Sequence, residues 1–275
     1  MELPEILEDV VMAAPTIQFT DGAAYDRMMG VWSRMVGEVF LDWLNPAPGL
    51  TWADIGCGSG AFSNLLAARC APAKIYGIDP SEAQLTQARK GPAAGIAEFQ
   101  LGDAMALPYE DNCIDAAAMA LVLFFVPDPA KGVAEMKRVV KPGGSVSAYM
   151  WDMLGGGVPM QPLYAELGPT GIPAPMPPSV SISTMDAMRA AWMAAGFVDI
   201  ETRVVSVRRS FADFEEFWAI TASSVAARTA LDRLSPEALA ALKERVRPRM
   251  SPAADGTISY DAWCNAIKGR KPQTT

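Results

Sequence analysis

The chain has 275 residues, 51% of them hydrophobic, with a formal net charge of -8 and a pI of about 4.7. That is enough apolar material for one large core, or a core with a cap. The acidic balance argues against a nucleic-acid backbone or an anionic membrane as the main partner, because both need clustered Lys and Arg.

The N-terminus opens with Glu2, Glu5, Glu8 and Asp9 and has no signal-peptide pattern. Residues up to about Gln18 read equally as an amphipathic helix or a mobile arm. Tyr25 to Arg34 has a helical pattern, and taken alone Tyr25 and Arg34 are surface residues of an amphipathic helix. Leu50 to Ile55 reads as a buried strand. It runs into Asp54-Ile55-Gly56-Cys57-Gly58-Ser59-Gly60, then a helix with Phe62, Leu65 and Leu66 as its apolar face. Alternate glycines let the main chain turn sharply and lie against a ligand. The first turn of the helix offers unpaired N–H groups. The spacing is D-x-G-x-G-x-G, not G-x-G-x-x-G. An acid just before the glycines repels a pyrophosphate and welcomes an ammonium. A ligand with an amino acid at one end and a nucleoside at the other therefore fits better than a dinucleotide. A plain strand-to-helix turn is the competing reading.

Ile75 to Ile78 forms the next strand, ended by Asp79 and Pro80, and Ser81 can cap a helix starting near Glu82. An acid at this point, about 20 residues after the glycine turn, is placed to accept from ribose hydroxyls; an ordinary helix-entry turn is the alternative. Glu98 to Leu101 reads as strand three, followed by Gly102-Asp103, Ala104 and Met105, whose soft side chain suits a flat ring. A Gly-Asp turn is also common on structural grounds alone. After Cys113-Ile114-Asp115 an apolar run extends from Ala116 to Val126. It is too short for a bilayer, which needs about 20 apolar residues, and reads as the central strand of a parallel sheet.

A helix begins at Asp128 or Pro129, with Val133, Met136 and Val139-Val140 inward. Lys141-Pro142-Gly143-Gly144 stops it before strand five, Ser145 to Trp151. Gly155 to Pro178 is rich in Pro and Gly and reads as a lid or substrate wall, or as a flexible connection. Thr184 and Asp186 open a helix through Met188, Trp192 and Met193, ended by Gly196. A strand follows through Val198, Ile200, Val204, Val205 and Val207, and its alternating faces account for Arg203, Arg208 and Arg209. Asp213 to Trp218 starts a helix with acids in its first turn, more helix runs through Leu231, Leu234, Leu239 and Leu242, and Gly256 to Lys268 alternates like a last strand. The four cysteines (Cys57, Cys70, Cys113, Cys264) form no C-x-x-C pair and the chain has no histidine, so no metal-ligand spacing exists. Such cysteines read as reduced and mostly buried, and the expected location is cytoplasmic.

In order and register, these segments from about Tyr25 to Lys271 resemble class I S-adenosylmethionine (SAM)-dependent methyltransferases, in the branch related to quinone biosynthesis. The resemblance implies an α/β fold: a Rossmann-like seven-stranded, mostly parallel sheet with helices on both faces and the last strand antiparallel, with helical and loop cap insertions. It implies a single SAM-dependent methyltransferase domain over residues 1–275, leader or cap helices in 1–45, and cap or lid insertions at 152–183 and 211–256. The implied cofactor is SAM, leaving as S-adenosylhomocysteine. Asp54, Gly56, Cys57, Gly58 and Gly60 would form its first motif, with Asp79 and Pro80 at the ribose and Asp103, Ala104 and Met105 at the adenine. Ala120 and Leu121 would flank the methionine, and Tyr25 and Arg34 would lie near the carboxylate, for which an arginine fork is suited.

The implied reaction is in-line methyl transfer, without a metal, to a small hydrophobic or aromatic acceptor. No catalytic residue is assigned. The missing histidine leaves Asp, Glu, Tyr, Lys or Cys as any base. Tyr25, Trp32, Phe124, Phe125, Trp151 and Tyr164 are expected at the pocket or in the core. The expected partner is a small-molecule substrate, with no nucleic acid and no membrane span, and any self-association would be a homodimer. The alternatives are a non-catalytic SAM-binding or partner protein on the same fold and, with the wrong glycine spacing, a nicotinamide oxidoreductase.

Overall fold

The computed structural model describes residues 29–273. Its strands are β1 (Thr51–Ile55), β2 (Lys74–Asp79), β3 (Ala97–Leu101), β4 (Ile114–Ala120), β5 (Val140–Trp151), β6 (Val198–Phe211) and β7 (Ile258–Arg270). They form one seven-stranded sheet in the order β3-β2-β1-β4-β5-β7-β6. The first five strands pair in parallel, and β7 runs antiparallel to both β5 and β6. The helices are α1 (Val31–Leu44), α2 (Ala61–Arg69), α3 (Glu82–Ala88), α4 (Pro129–Val139), α5 (Gln161–Tyr164), α6 (Met185–Ala194), α7 (Phe214–Ala222), α8 (Val225–Leu231) and α9 (Pro236–Val246). Strand order reverses between β1 and β4, and in such sheets the crevice beyond the carboxyl ends of these two strands is where ligands bind.

The sheet is covered on both faces, so its central strands are apolar along their length: Trp52, Ala53 and Ile55 of β1 and Ala116 to Met119 of β4 are buried. On one face Phe40 of α1 lies 4.6 Å from the ring of Tyr149 of β5, and Phe62 of α2 packs 6.0 Å from the same ring. Gly37, in the middle of α1, permits this approach. A Cβ there would stand 2.6 Å from Leu65 Cδ1 and 3.3 Å from the Tyr149 hydroxyl. On the other face Trp192 of α6 is buried, and its Nε1 donates to the Val146 carbonyl at 3.4 Å.

Two elements depart from the sequence reading. The apolar run from Ala116 to Val126 is not one strand: β4 ends at Ala120, Leu121 takes a φ of 62°, and Leu123–Phe125 forms a 3-10 turn. Beyond β4 the carbonyls of Phe124 and Val126 are met by Ser179, through its N–H at 3.0 Å and its hydroxyl at 2.8 Å, so a loop takes the place of a neighbouring strand. Strand five starts at Val140, and Lys141 to Gly144 bulge out of register before Ser145 pairs with Ala116. The Asp115 carboxylate pins this bulge by accepting from Thr51 N–H at 2.9 Å and pairing with Lys141 Nζ at 2.6 Å.

The Pro- and Gly-rich stretch is packed. Val158, Met160, Leu163, Tyr164 and Leu167 are buried in the same core as the sheet. Glu166 accepts ion pairs from Arg245 at 3.4 Å and Arg249 at 2.6 Å, tying the stretch to the end of α9 and the turn after it.

Candidate functional site

Asp54, next to last in β1, is fully buried. Its Oδ2 accepts from the Ser63 hydroxyl at 2.6 Å, and its Oδ1 has no partner among the described residues. Burial raises its pKa to about 7; the Ser63 hydrogen bond opposes the rise, and the charge of Asp79 adds to it. The glycine turn that follows is tied to β2, because the N–H groups of Gly56 and Cys57 both donate to the Ile78 carbonyl at 2.7 and 2.9 Å.

The glycines of this turn do different work. A Cβ on Gly56 would strike Val122, and one on Gly60 would stand 3.2 Å from Ala88 Cβ, so both are set by close packing. A Cβ on Gly58 would meet nothing within 4 Å, and this glycine, at a φ of 54°, opens onto a cavity. Gly58 N–H also donates to Asp79 Oδ2 at 2.9 Å, while Ser81 N–H donates to Asp79 Oδ1 at 2.8 Å. Asp79 thus joins the glycine turn to the entry of α3. Burial raises its pKa, and the hydrogen bonds from Ser81 and Gly58 oppose that rise.

The cavity has a volume of about 450 Å³ and lies at the carboxyl ends of β1, β2 and β4. Its wall holds Asp54 from β1, Gly56, Cys57 and Gly58 from the glycine turn, Asp79 and Pro80 at the end of β2, and Ala120 and Leu121 at the end of β4. The remaining candidates lie elsewhere. Gly60 packs behind the turn. Asp103 is exposed and accepts from Met105 N–H at 2.8 Å, so Asp103, Ala104 and Met105 form a turn beyond β3 outside the cavity wall. Arg34 points to solvent, its Nε 4.0 Å from Glu38 Oε1, and does not reach the wall. Tyr25 lies outside the described residues.

The sequence reading missed Ser33 of α1 and Tyr149 of β5, which also line the cavity. A signal for Ser33 existed. It falls between Trp32 and Val36 on the inward stripe of α1, where a polar residue is out of place. Cys57 is in the wall, but burial raises its thiol pKa far above the ordinary value, so it offers no thiolate. Among the described residues no group of three metal-ligating side chains occurs, and no helix is long and apolar enough to cross a membrane. A second cavity of about 400 Å³ opens near the starts of β1 and β5. Its charges largely pair with one another, Lys141 with Asp115 and Lys268 with Glu201.

The wall of the first cavity therefore holds a buried carboxylate oxygen with free acceptor capacity and a second carboxylate held by two main-chain N–H groups. Apolar side chains, Leu65, Val122 and Phe125 among them, line the same cavity. This suits a ligand with a cationic end, a hydroxyl-bearing end and a less polar middle.

Residues 53–148 match the family model described as a methyltransferase domain. The chain is 44% identical over 104 residues to the demethylmenaquinone methyltransferase of Desulfitobacterium hafniense (strain Y51), over 36% of this chain and 41% of that protein. It is 29% identical over 208 residues to the ubiquinone/menaquinone biosynthesis C-methyltransferase of Ruegeria sp. (strain TM1040), over 73% of this chain and 77% of that protein. The match spans 33 to 47% of the length of the first three curated relatives. The phosphoethanolamine N-methyltransferase 2 of Haemonchus contortus, solved with phosphomonomethylethanolamine and S-adenosylhomocysteine, has the same fold. Its TM-score is 0.54 at 19% identity, covering 91% of this chain and 57% of that one.

Proposed function

We propose that this chain, whose residues 53–148 match a methyltransferase domain, is a class I enzyme that transfers a methyl group from SAM to a small hydrophobic or aromatic acceptor. The observation that carries the reading is the fully buried Oδ1 of Asp54, without a partner among the described residues, in the wall of a cavity that also holds Asp79. A buried carboxylate oxygen without a donor is costly, and the ammonium of an α-amino acid supplies the donor. Asp79, its position already set by Gly58 and Ser81, has lone pairs left for the two ribose hydroxyls. Gly58 lets the ligand lie on bare main chain.

SAM, when bound, supplies a methyl already activated on a sulfonium, so the protein has to orient it, exclude water and align the acceptor. Leu121, Val122, Phe125 and Tyr149 are suited to the second task, since they form an apolar wall at the end of β4. The apolar character of that wall supports a hydrophobic or aromatic acceptor, and the quinone-pathway names of the relatives point the same way. The chain contains no histidine, which favours acceptors that are acidic or already nucleophilic. We place the enzyme in the cytoplasm, in keeping with unpaired cysteines.

Isothermal titration with SAM, S-adenosylhomocysteine and NAD tests the cofactor. SAM and S-adenosylhomocysteine should bind and NAD should not. Turnover of SAM with a panel of phenols, naphthols and quinols then tests the acceptor class. Binding of NAD in place of SAM would sink the reading.

A further inference from the structure

We propose that the Ser33 hydroxyl donates to the carboxylate at the amino-acid end of bound SAM, so that α1 closes that end of the cavity. The proposal rests on the cavity's being the SAM site. Ser33 is 8% exposed, lies in the cavity wall with Asp54, and its Oγ has no hydrogen-bond partner among the described residues. A serine inside a helix commonly returns its proton to the carbonyl one turn back; this one does not. Two residues in the wall of the same cavity thus carry buried polar atoms without partners among the described residues, one able to donate and one to accept. An α-amino acid zwitterion is complementary to that pair: its ammonium donates to Asp54 Oδ1 and its carboxylate accepts from Ser33 Oγ.

Two further observations favour a carboxylate at this end. The first turn of α2 has no side-chain cap and no acidic residue, and its Ala61 and Phe62 line the same cavity. The start of that helix therefore favours negative charge near it. The neighbouring cation, Arg34, is turned to solvent beside Glu38, which leaves the hydroxyl as the α1 group that faces the ligand.

The test compares two ligands by isothermal titration on the full chain and its Ser33→Ala variant. S-adenosylhomocysteine carries the amino-acid end, and 5′-methylthioadenosine carries the same nucleoside and thioether without it. Ser33→Ala should weaken S-adenosylhomocysteine by about tenfold or more, the range for a hydrogen bond to a charged group, and leave 5′-methylthioadenosine unchanged. Equal weakening of both ligands would overturn the proposal, as would no weakening of either. Unchanged S-adenosylhomocysteine affinity with a reduced kcat would also overturn it, by placing the hydroxyl on the acceptor. If the wild-type chain binds neither ligand, the cofactor reading fails first, and the proposal with it.

Discussion

Asp54 is the residue whose surroundings most constrain behaviour in solution. Its folded pKa of about 7 lies well above the ordinary carboxylate value of 3.8, chiefly because it is buried. The folded state therefore keeps a proton that the unfolded chain gives up above about pH 4. Stability from this group is fully present below pH 4 and is lost as pH rises through 7. Without ligand, thermal stability should fall between pH 5 and pH 8, and Asp54→Asn should flatten that fall. The gain at pH 8 is at most on the order of 4 kcal/mol; melting curves of both proteins across that range check it, and parallel curves would refute it. The same group predicts a linked effect on binding. An ammonium needs the carboxylate form, so SAM affinity should rise by up to about tenfold per pH unit below 7 and level off above it, with proton release measurable by titration in buffers of different ionisation enthalpy. That titration belongs to cofactor binding, and kcat at saturating SAM should not show it. Asp79→Ala should weaken SAM by about 1.5–3 kcal/mol, and unchanged affinity would remove the ribose assignment.

At the scale of elements, the contact of α1 with α2 and β5 turns on Gly37. Replacing a helical glycine by alanine normally stabilises by about 1 kcal/mol. Here the new methyl would press on Leu65 and the Tyr149 hydroxyl, so Gly37→Ala should return little of that gain. Gly37→Leu should cost about 1–3 kcal/mol through overpacking. Denaturant melts of the two variants measure both effects, and a Gly37→Leu protein as stable as wild type would show that α1 does not seat as described. The elements differ in how visible they were beforehand. β1 and β2 could be read within a residue, because buried strands of a parallel sheet are unbroken apolar runs between turn residues. The glycine turn and Asp79 could be read because the chemistry fixes residue types at fixed spacing. The end of β4 could not. The run from Ala116 to Val126 stays apolar through the turn, and what bends it, the left-handed Leu121 and the hydrogen bonds from Ser179, arises from chain 53 residues away. Tyr149 was invisible as a wall residue, and Ser33 showed only as a polar residue on an inward stripe, for a related reason: pattern shows which face is inward, not whether that face meets packing or a cavity. The same limit applies to Arg34, one residue and one helical step from Ser33.

For the molecule as a whole, the segments between β5 and α6 and between β6 and β7 share one core with the sheet. Leu163 and Tyr164 are buried in it alongside Phe217, Leu242 and Val246, and the Glu166 pairs with Arg245 and Arg249 join the two segments. Unfolding should therefore be a single cooperative transition. Amides from Val158 to Leu167 should exchange with deuterium as slowly as those near the sheet ends; fast exchange confined to this stretch, with the sheet protected, would show an independently opening lid.

The place of β7 has a consequence for how the chain is made. β7 follows β6 in the chain, yet it lies between β5 and β6 in the sheet. On the ribosome, β6 emerges well before β7, the one strand it pairs with among the described residues, and α7 to α9 are translated in the interval. Until Ile258 and its successors leave the exit tunnel, the 14 residues of β6 have an unmet hydrogen-bonding edge on both sides. A nascent chain at that stage depends on holding factors or on fast completion of translation to avoid pairing with its neighbours.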